Sequence, residues 1–271
     1  MIFERIPLSD SNPDVYLETF VADRVGEYKR SALLVIPGGA YSCVCADREG
    51  DPIAEAFMPH GYNAFVLHYT VGRRDKFPCQ LIEAARAIKH IKDNAERYNI
   101  DPERLFVVGF SAGGHLAAST GVLWKLPEVY ESVEMPRGYN KPRGVMLIYP
   151  VISARLERHL GSFRNLWCSD ELTEEQKAIS SIDENVDKDS APAFIMHTAD
   201  DEAVDIRNAL LLAKAYSGAG VPFEMHIYPH APHGIALANS LTDRGNHDFN
   251  NERIAEWVRL AAGWADELCK K

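Results

Sequence analysis

Leu105-Phe-Val-Val-Gly109-Phe110-Ser111-Ala112-Gly113-Gly114-His115 decides how the rest of the chain is read. An apolar, β-branched run stops at a glycine, and a serine stands one residue beyond it. The small residues over 112–120 then favour a helix. Strand, sharp turn and helix in that order are what a G-x-S-x-G nucleophile elbow requires. The chemistry explains the glycines. A serine at so tight a turn holds a strained backbone, and the helix must pass close to the strand. Side chains at 109 and 113 would obstruct both, so glycine is the residue that fits. The turn lifts the serine oxygen out of the sheet and aims the Ala112 amide at whatever that oxygen attacks.

Outward from the elbow, strands and helices alternate. Apolar runs predict strands over 15–21, 32–36, 63–69, 144–149, 193–197 and 223–228. Several are almost continuously apolar, as parallel strands buried on both faces must be. Leu81, Ala84, Ala85, Ile88, Ile91 and Ala95 recur at helical spacing and predict a helix over 81–98. Further helices are expected from 52, over 203–217 and over 250–268, and Asp101-Pro102 is expected to turn the chain into the elbow strand. This alternation means right-handed crossovers and a mostly parallel twisted sheet with helices on both faces, an α/β class. Reactive groups then collect at the carboxyl ends of the strands. The charged stretch 152–190 breaks the alternation, and within it Thr173-Glu-Glu-Gln176 reads as a capping box. We expect one domain over 1–271, with 152–190 as a cap-like insertion near the mouth of the site.

Composition narrows the function classes. The chain has 271 residues, 46% hydrophobic and 25% charged, enough for one large α/β core. A formal net charge of -10 repels phosphate backbones and anionic headgroups, so neither nucleic acid nor membrane is an expected partner. No apolar run approaches the ~20 residues of a membrane span, and the charged first residues do not resemble a signal peptide. A cytoplasmic protein is expected. The five cysteines, Cys43, Cys45, Cys79, Cys168 and Cys269, are scattered and odd in number, which fits free thiols in a reducing compartment. No second Cys/His pair accompanies Cys43 and Cys45 at ligand spacing, so no metal is expected.

A serine hydroxyl is a weak nucleophile and needs a base within reach, and the base needs an orienting carboxylate. Of ten histidines, His68 and His226 fall inside strands, His90 lies on an amphipathic helix, His115 rides on the elbow helix, and His60 and His159 lack a strand end. Beyond the last strand stand His230, His233 and His247. His233, followed by a glycine that leaves the ring room, is the favoured base, with His230 its rival. The carboxylate should follow the strand before, where Asp200 and Asp201 are not separable by spacing. Either could instead cap the next helix. The loop Pro37-Gly38-Gly39-Ala40-Tyr41 is the natural source of the backbone amides that, with Ala112, would stabilise an oxyanion.

From about Ala32 onward the chain resembles the α/β-hydrolase superfamily, in particular the small bacterial esterases related to acetyl esterases and acetylxylan esterases. The resemblance rests on a Pro-Gly-Gly loop standing where related esterases have His-Gly-Gly-Gly, the Gly-x-Ser-x-Gly elbow, a His-x-x-x-Asp-x-x-Val turn at 197–204 and a terminal His-Gly. The order nucleophile, acid, base agrees with that fold. The resemblance puts the acid at Asp201 and the oxyanion amides at Gly39, Ala40 and Ala112. Pro37 and Ala40 depart from the His-Gly-Gly-Gly form, which favours the carbohydrate-esterase branch. Glu49-Gly50-Asp51-Pro52 resembles a family feature of the loop, and its expected role is structural.

The implied activity is hydrolysis of short-chain acyl esters, acetyl above all, including those of sugars or xylo-oligosaccharides. Ser111, His233 and Asp201 would act through an acyl-enzyme, without cofactor or metal. Tyr41 and Trp167 are candidates to stack against a sugar face near the mouth, although core packing is the commoner fate of such residues. The expected partner is a small-molecule ester, and the sequence leaves monomer or homo-oligomer open. A prolyl-oligopeptidase-like amidase and a non-catalytic small-molecule binder of the same fold are the alternatives.

Overall fold

The structure, a computed structural model, describes residues 1–157 and 159–270. Eight strands form one sheet: β1 (Arg5–Pro7), β2 (Tyr16–Phe20), β3 (Arg30–Ile36), β4 (Tyr62–His68), β5 (Ile100–Phe110), β6 (Gly144–Ile148), β7 (Ala193–Thr198) and β8 (Phe223–Tyr228). Their spatial order is β1-β2-β4-β3-β5-β6-β7-β8. The pairs β1–β2 and β2–β4 are antiparallel, and from β4 to β8 every pair is parallel. This is the mostly parallel sheet that the apolar runs predict.

Alternate residues of each strand feed two cores. Ala32, Leu34 and Ile36 face one together with Leu81, Ile88 and Ile91 of the helix Cys79–Asp93. Leu33 and Val35 face the other with Ile53, Phe57 and Trp257. Helices therefore cover both faces. The helix Ser111–Val122 is buried along its whole length, which its small residues permit. Among the described residues no helix is long and apolar enough to cross a membrane.

Several boundaries differ from expectation. Asp101-Pro102 is not a turn before the strand but a bulge within it: Arg30 pairs with Ile100 and Ala32 next with Leu105, so the extra residues loop out of the register. β1 was not expected, since three residues carry no readable periodicity. The helix expected from 203 begins at Arg207, because Asp201 ties the 203 and 204 amides into a turn first. The helix over 81–98 ends at Asp93. The closing helix is split into Glu252–Ala255 and Trp257–Cys269. Helices Leu160–Trp167, Glu174–Ser180 and Ile182–Asn185 run through 152–190, the second opened by the capping box of Thr173 and Gln176.

Candidate active site

Ser111 follows β5 directly and opens the next helix with φ +52, a conformation rare for a residue with a side chain. The glycines make this turn feasible. A Cβ on Gly109 would lie 2.3 Å from the Gly113 carbonyl oxygen, and one on Gly113 would lie 2.3 Å from those of Ile36 and Pro37. The elbow is thus clamped against the end of β3, and the Pro37–Tyr41 loop is brought beside the serine. A Cβ on Gly38 would come within 3.0 Å of Ser111 Cβ.

The Ser111 hydroxyl meets His233 Nε2 at 2.9 Å. His233 Nδ1 meets Asp201 Oδ2 at 2.7 Å. The ionised carboxylate can only accept, so Nδ1 carries the proton and Nε2 accepts from the hydroxyl. The other oxygen of Asp201 accepts the amides of Ala203 at 2.9 Å and Val204 at 2.8 Å. Burial pushes this carboxyl up, but the close approach of His197, the bond from His233, the nearby imidazole and the Val204 amide outweigh it and hold Asp201 well below the usual carboxylate range. The adjacent Asp200 turns outward and pairs with His230 Nδ1 at 2.9 Å. Asp201 is therefore beside His233, while Asp200 and its rival histidine form an exposed pair.

The Pro37–Tyr41 loop is held by its carbonyls. Gly39 oxygen accepts the Ser42 amide at 2.9 Å, and Gly38 oxygen accepts the Cys45 amide at 3.0 Å. Ala40 oxygen accepts Asn165 Nδ2 at 2.9 Å, which joins the 152–190 segment to this loop. Among the described residues the Gly39 and Ala40 amides have no acceptor. With Ala112, at the first turn of its helix, these are donors a developing oxyanion could use.

The two candidates for sugar stacking are engaged within the protein instead. Tyr41 offers no face to a sugar: it is 1% exposed, its hydroxyl bonds His115 Nδ1 at 2.8 Å, and its ring stands edge-on to Tyr69. Trp167 packs on Phe77 and donates its indole N–H to Ser180 Oγ at 2.7 Å, so it braces the 152–190 segment. His115 is structural, as expected. It donates Nε2–H to the Ser180 carbonyl at 2.9 Å, and burial lowers its pKa to about 4.

Sequence reading missed three neighbours of the site. His197 Nε2 donates to the Val204 carbonyl at 2.9 Å and lies 3.6 Å from Asp201 Oδ2. His159 holds φ +73 at the start of its helix, bonds Ser162 Oγ through Nδ1 at 3.1 Å, and brings its ring centroid to 5.9 Å from that of His233. Glu49 is buried beside Gly38. The motif at 197–204 gave a signal for His197 and Glu49-Gly50-Asp51-Pro52 one for Glu49, read as structural, while nothing pointed to His159.

The BD-FAE family model matches residues 17–216. Endo-1,4-beta-xylanase B of Butyrivibrio fibrisolvens is 36% identical over 217 residues, 79% of this chain and 34% of that protein. The acetylxylan esterase of Xylanibacter ruminicola is 27% identical over 235 residues, 84% of this chain and 45% of that protein. The chain thus spans between a third and a half of the length of these curated relatives. Among solved structures, the acetyl ester-xyloside bifunctional hydrolase of Caldicellulosiruptor lactoaceticus superposes with a TM-score of 0.82 at 32% identity, covering 98% of this chain and 96% of that one.

Proposed function

The chain belongs to the BD-FAE family and has the α/β-hydrolase fold, and on that premise we propose that it is a serine carboxylic-ester hydrolase acting on short acyl esters, acetyl esters of sugars or xylo-oligosaccharides first among them. The observation that carries this reading is the unbroken hydrogen-bond chain from Ser111 through His233 to Asp201, at 2.9 and 2.7 Å.

In the mechanism Ser111 Oγ attacks the ester carbonyl while His233 Nε2 takes its proton. Asp201 fixes the tautomer and stabilises the imidazolium. The amides of Gly39, Ala40 and Ala112 hold the tetrahedral oxyanion, each worth roughly 3 kcal/mol of barrier. The imidazolium protonates the departing alcohol, leaving an acyl-serine. Water, deprotonated by the same imidazole, then releases the acid. No step calls for a metal or an organic cofactor. The 152–190 segment, bonded to the Ala40 carbonyl, caps the mouth. The acetyl and sugar preferences rest on the relatives named for acetylxylan esterase and acetyl ester-xyloside hydrolase activity.

Ser111→Ala should reduce p-nitrophenyl acetate turnover by about 10⁴-fold or more, and abolish labelling by a fluorophosphonate. Turnover retained by the folded variant would defeat the mechanism. A panel holding the acetyl group constant across simple alcohols, xylose and other sugars tests the substrate class. Equal rates across it would leave a general esterase, and faster cleavage of prolyl amides would move the reading to a peptidase.

A further inference from the structure

Glu49 is a carboxylate for which this mechanism has no use, and it is only 2% exposed. It ends the short helix Ala46–Glu49 that follows the oxyanion loop. Its Oε2 accepts the Gly38 amide at 2.8 Å, and its Oε1 accepts the Tyr149 hydroxyl at 3.0 Å. The Tyr149 oxygen in turn accepts the Ala236 amide at 3.0 Å. The Tyr149 ring stands edge-on to the His233 imidazole, with centroids 5.0 Å apart. A Cβ on Gly234 would lie 3.9 Å from Glu49 Oε1. Glu49, through Tyr149, therefore links the strand end carrying the oxyanion loop to the loop carrying the imidazole.

A buried carboxylate is unfavourable unless its oxygens are bonded and its charge is answered. The charged or chargeable groups facing Glu49 are Arg48 and His233, with the Cys45 thiol and the Tyr69 and Tyr149 hydroxyls around them. Burial pushes the Glu49 carboxyl above the usual carboxylate range, and Arg48, the Gly38 amide, the imidazole and the Tyr149 hydroxyl only partly pull it back. On its other sides His233 faces Asp201 at Nδ1 and the His159 ring, and neither of these bonds the oxyanion loop.

We propose, on the ester-hydrolase reading above, that Glu49 is a positioning residue. It holds the oxyanion loop in register with the His233 loop, and its negative charge stabilises the imidazolium that forms when Ser111 gives up its proton. The position carries more than the structural role that its place in Glu49-Gly50-Asp51-Pro52 suggested.

Wild type, Glu49→Gln and Glu49→Asp, each checked for folding by circular dichroism, are assayed with p-nitrophenyl acetate from acid to neutral pH. Glu49→Gln removes the charge at nearly constant shape. Its kcat should fall about 10-fold or more with KM changed less than about threefold. Its acid limb in kcat/KM should move to lower pH, because the imidazolium loses a neighbouring negative charge. Glu49→Asp keeps the charge and should hold the acid limb in place, even where the shorter side chain slows turnover. A folded Glu49→Gln with unchanged kcat overturns the proposal. So does a reduced kcat with an unmoved acid limb, which is what a merely structural residue would give. Failure of the underlying reading is distinct: wild type would neither cleave the ester nor label at Ser111, and this inference would fall with it.

Discussion

Asp201 divides its two oxygens between two tasks. Oδ1 ties the Ala203 and Val204 amides into the turn, and Oδ2 receives His233. The helix cap that the sequence offered as a rival role goes to neither aspartate, since the helix starts only at Arg207; the acidic turn and the bond to His233 both fall on Asp201. Asp201→Asn keeps the turn but cannot hold the imidazole in the working tautomer, so p-nitrophenyl acetate turnover should fall by about 10³–10⁴-fold. The same substitution carries a stability prediction. Asp201 is held well below the usual carboxylate range, so its charge stabilises the fold fully above the unfolded-state pKa of about 3.9. The advantage of wild type over Asp201→Asn in denaturant melts should therefore be constant from neutral pH to about pH 5 and shrink as pH falls further. A gap that stays constant into strong acid would contradict this. Spacing could not separate Asp200 from Asp201 because both leave the same strand end, and only the twist of the turn sends one outward to His230. Ser111 and His233 were legible because a motif and a strand end mark them. His159 was not, because it reaches the site from a separate element and sits in no pattern of its own, and the stretch that holds Glu49 was marked only as structural, because its burial beside Gly38 and Tyr149 appears only in the fold.

At the level of the element, the elbow works because two carbonyl oxygens of the β3 end lie where a side chain on Gly113 would be. Gly113→Ala places a methyl 2.3 Å from both. No rotamer relieves a clash with backbone, so the helix or the strand must shift. The cost should be about 3 kcal/mol or more, with loss of turnover as the oxyanion loop moves. Thr173→Ala provides the contrast. It breaks the capping box that opens Glu174–Ser180, and should cost ~1 kcal/mol in urea melts with kcat on p-nitrophenyl acetate nearly unchanged. The parallel strands were the most legible elements, since burial on both faces forces an unbroken apolar run. Helix starts were less so. Residues 203–206 have helical composition, yet the Asp201 carboxylate takes two of their amides first, and the helix waits until Arg207. The bulge after Ile100 was hidden for a related reason. Asp-Pro reads as a turn, and only pairing with β3 shows that the strand runs on through it.

Across the whole molecule, the two sides of the sheet meet the chemistry differently. The elbow helix belongs to one core, while the residues that steady the His233 loop from behind belong to the other. Trp257 is the hinge of that second arrangement. It is fully buried, its ring lies 5.8 Å from Phe57 and 5.9 Å from Phe110, and its indole N–H donates to the Ala236 carbonyl at 2.9 Å. Phe110 immediately precedes Ser111 and Ala236 follows His233 by three positions, so one side chain of the closing helix touches both arms of the candidate site. Truncation and polar loss can be measured apart. Trp257→Ala removes a large ring from a packed core and should cost about 3–5 kcal/mol, which for a chain of this size lowers Tm by roughly 10 °C. Trp257→Phe keeps most of the ring but leaves the buried Ala236 carbonyl without its donor, and should cost about 1–3 kcal/mol. If the bond also sets the histidine loop, Trp257→Phe should lower kcat severalfold at a temperature where it is fully folded, with KM little changed. Wild-type kcat in that folded variant would assign Trp257 to stability alone and leave the Glu49–Tyr149–Ala236 connection as what holds the imidazole over the serine.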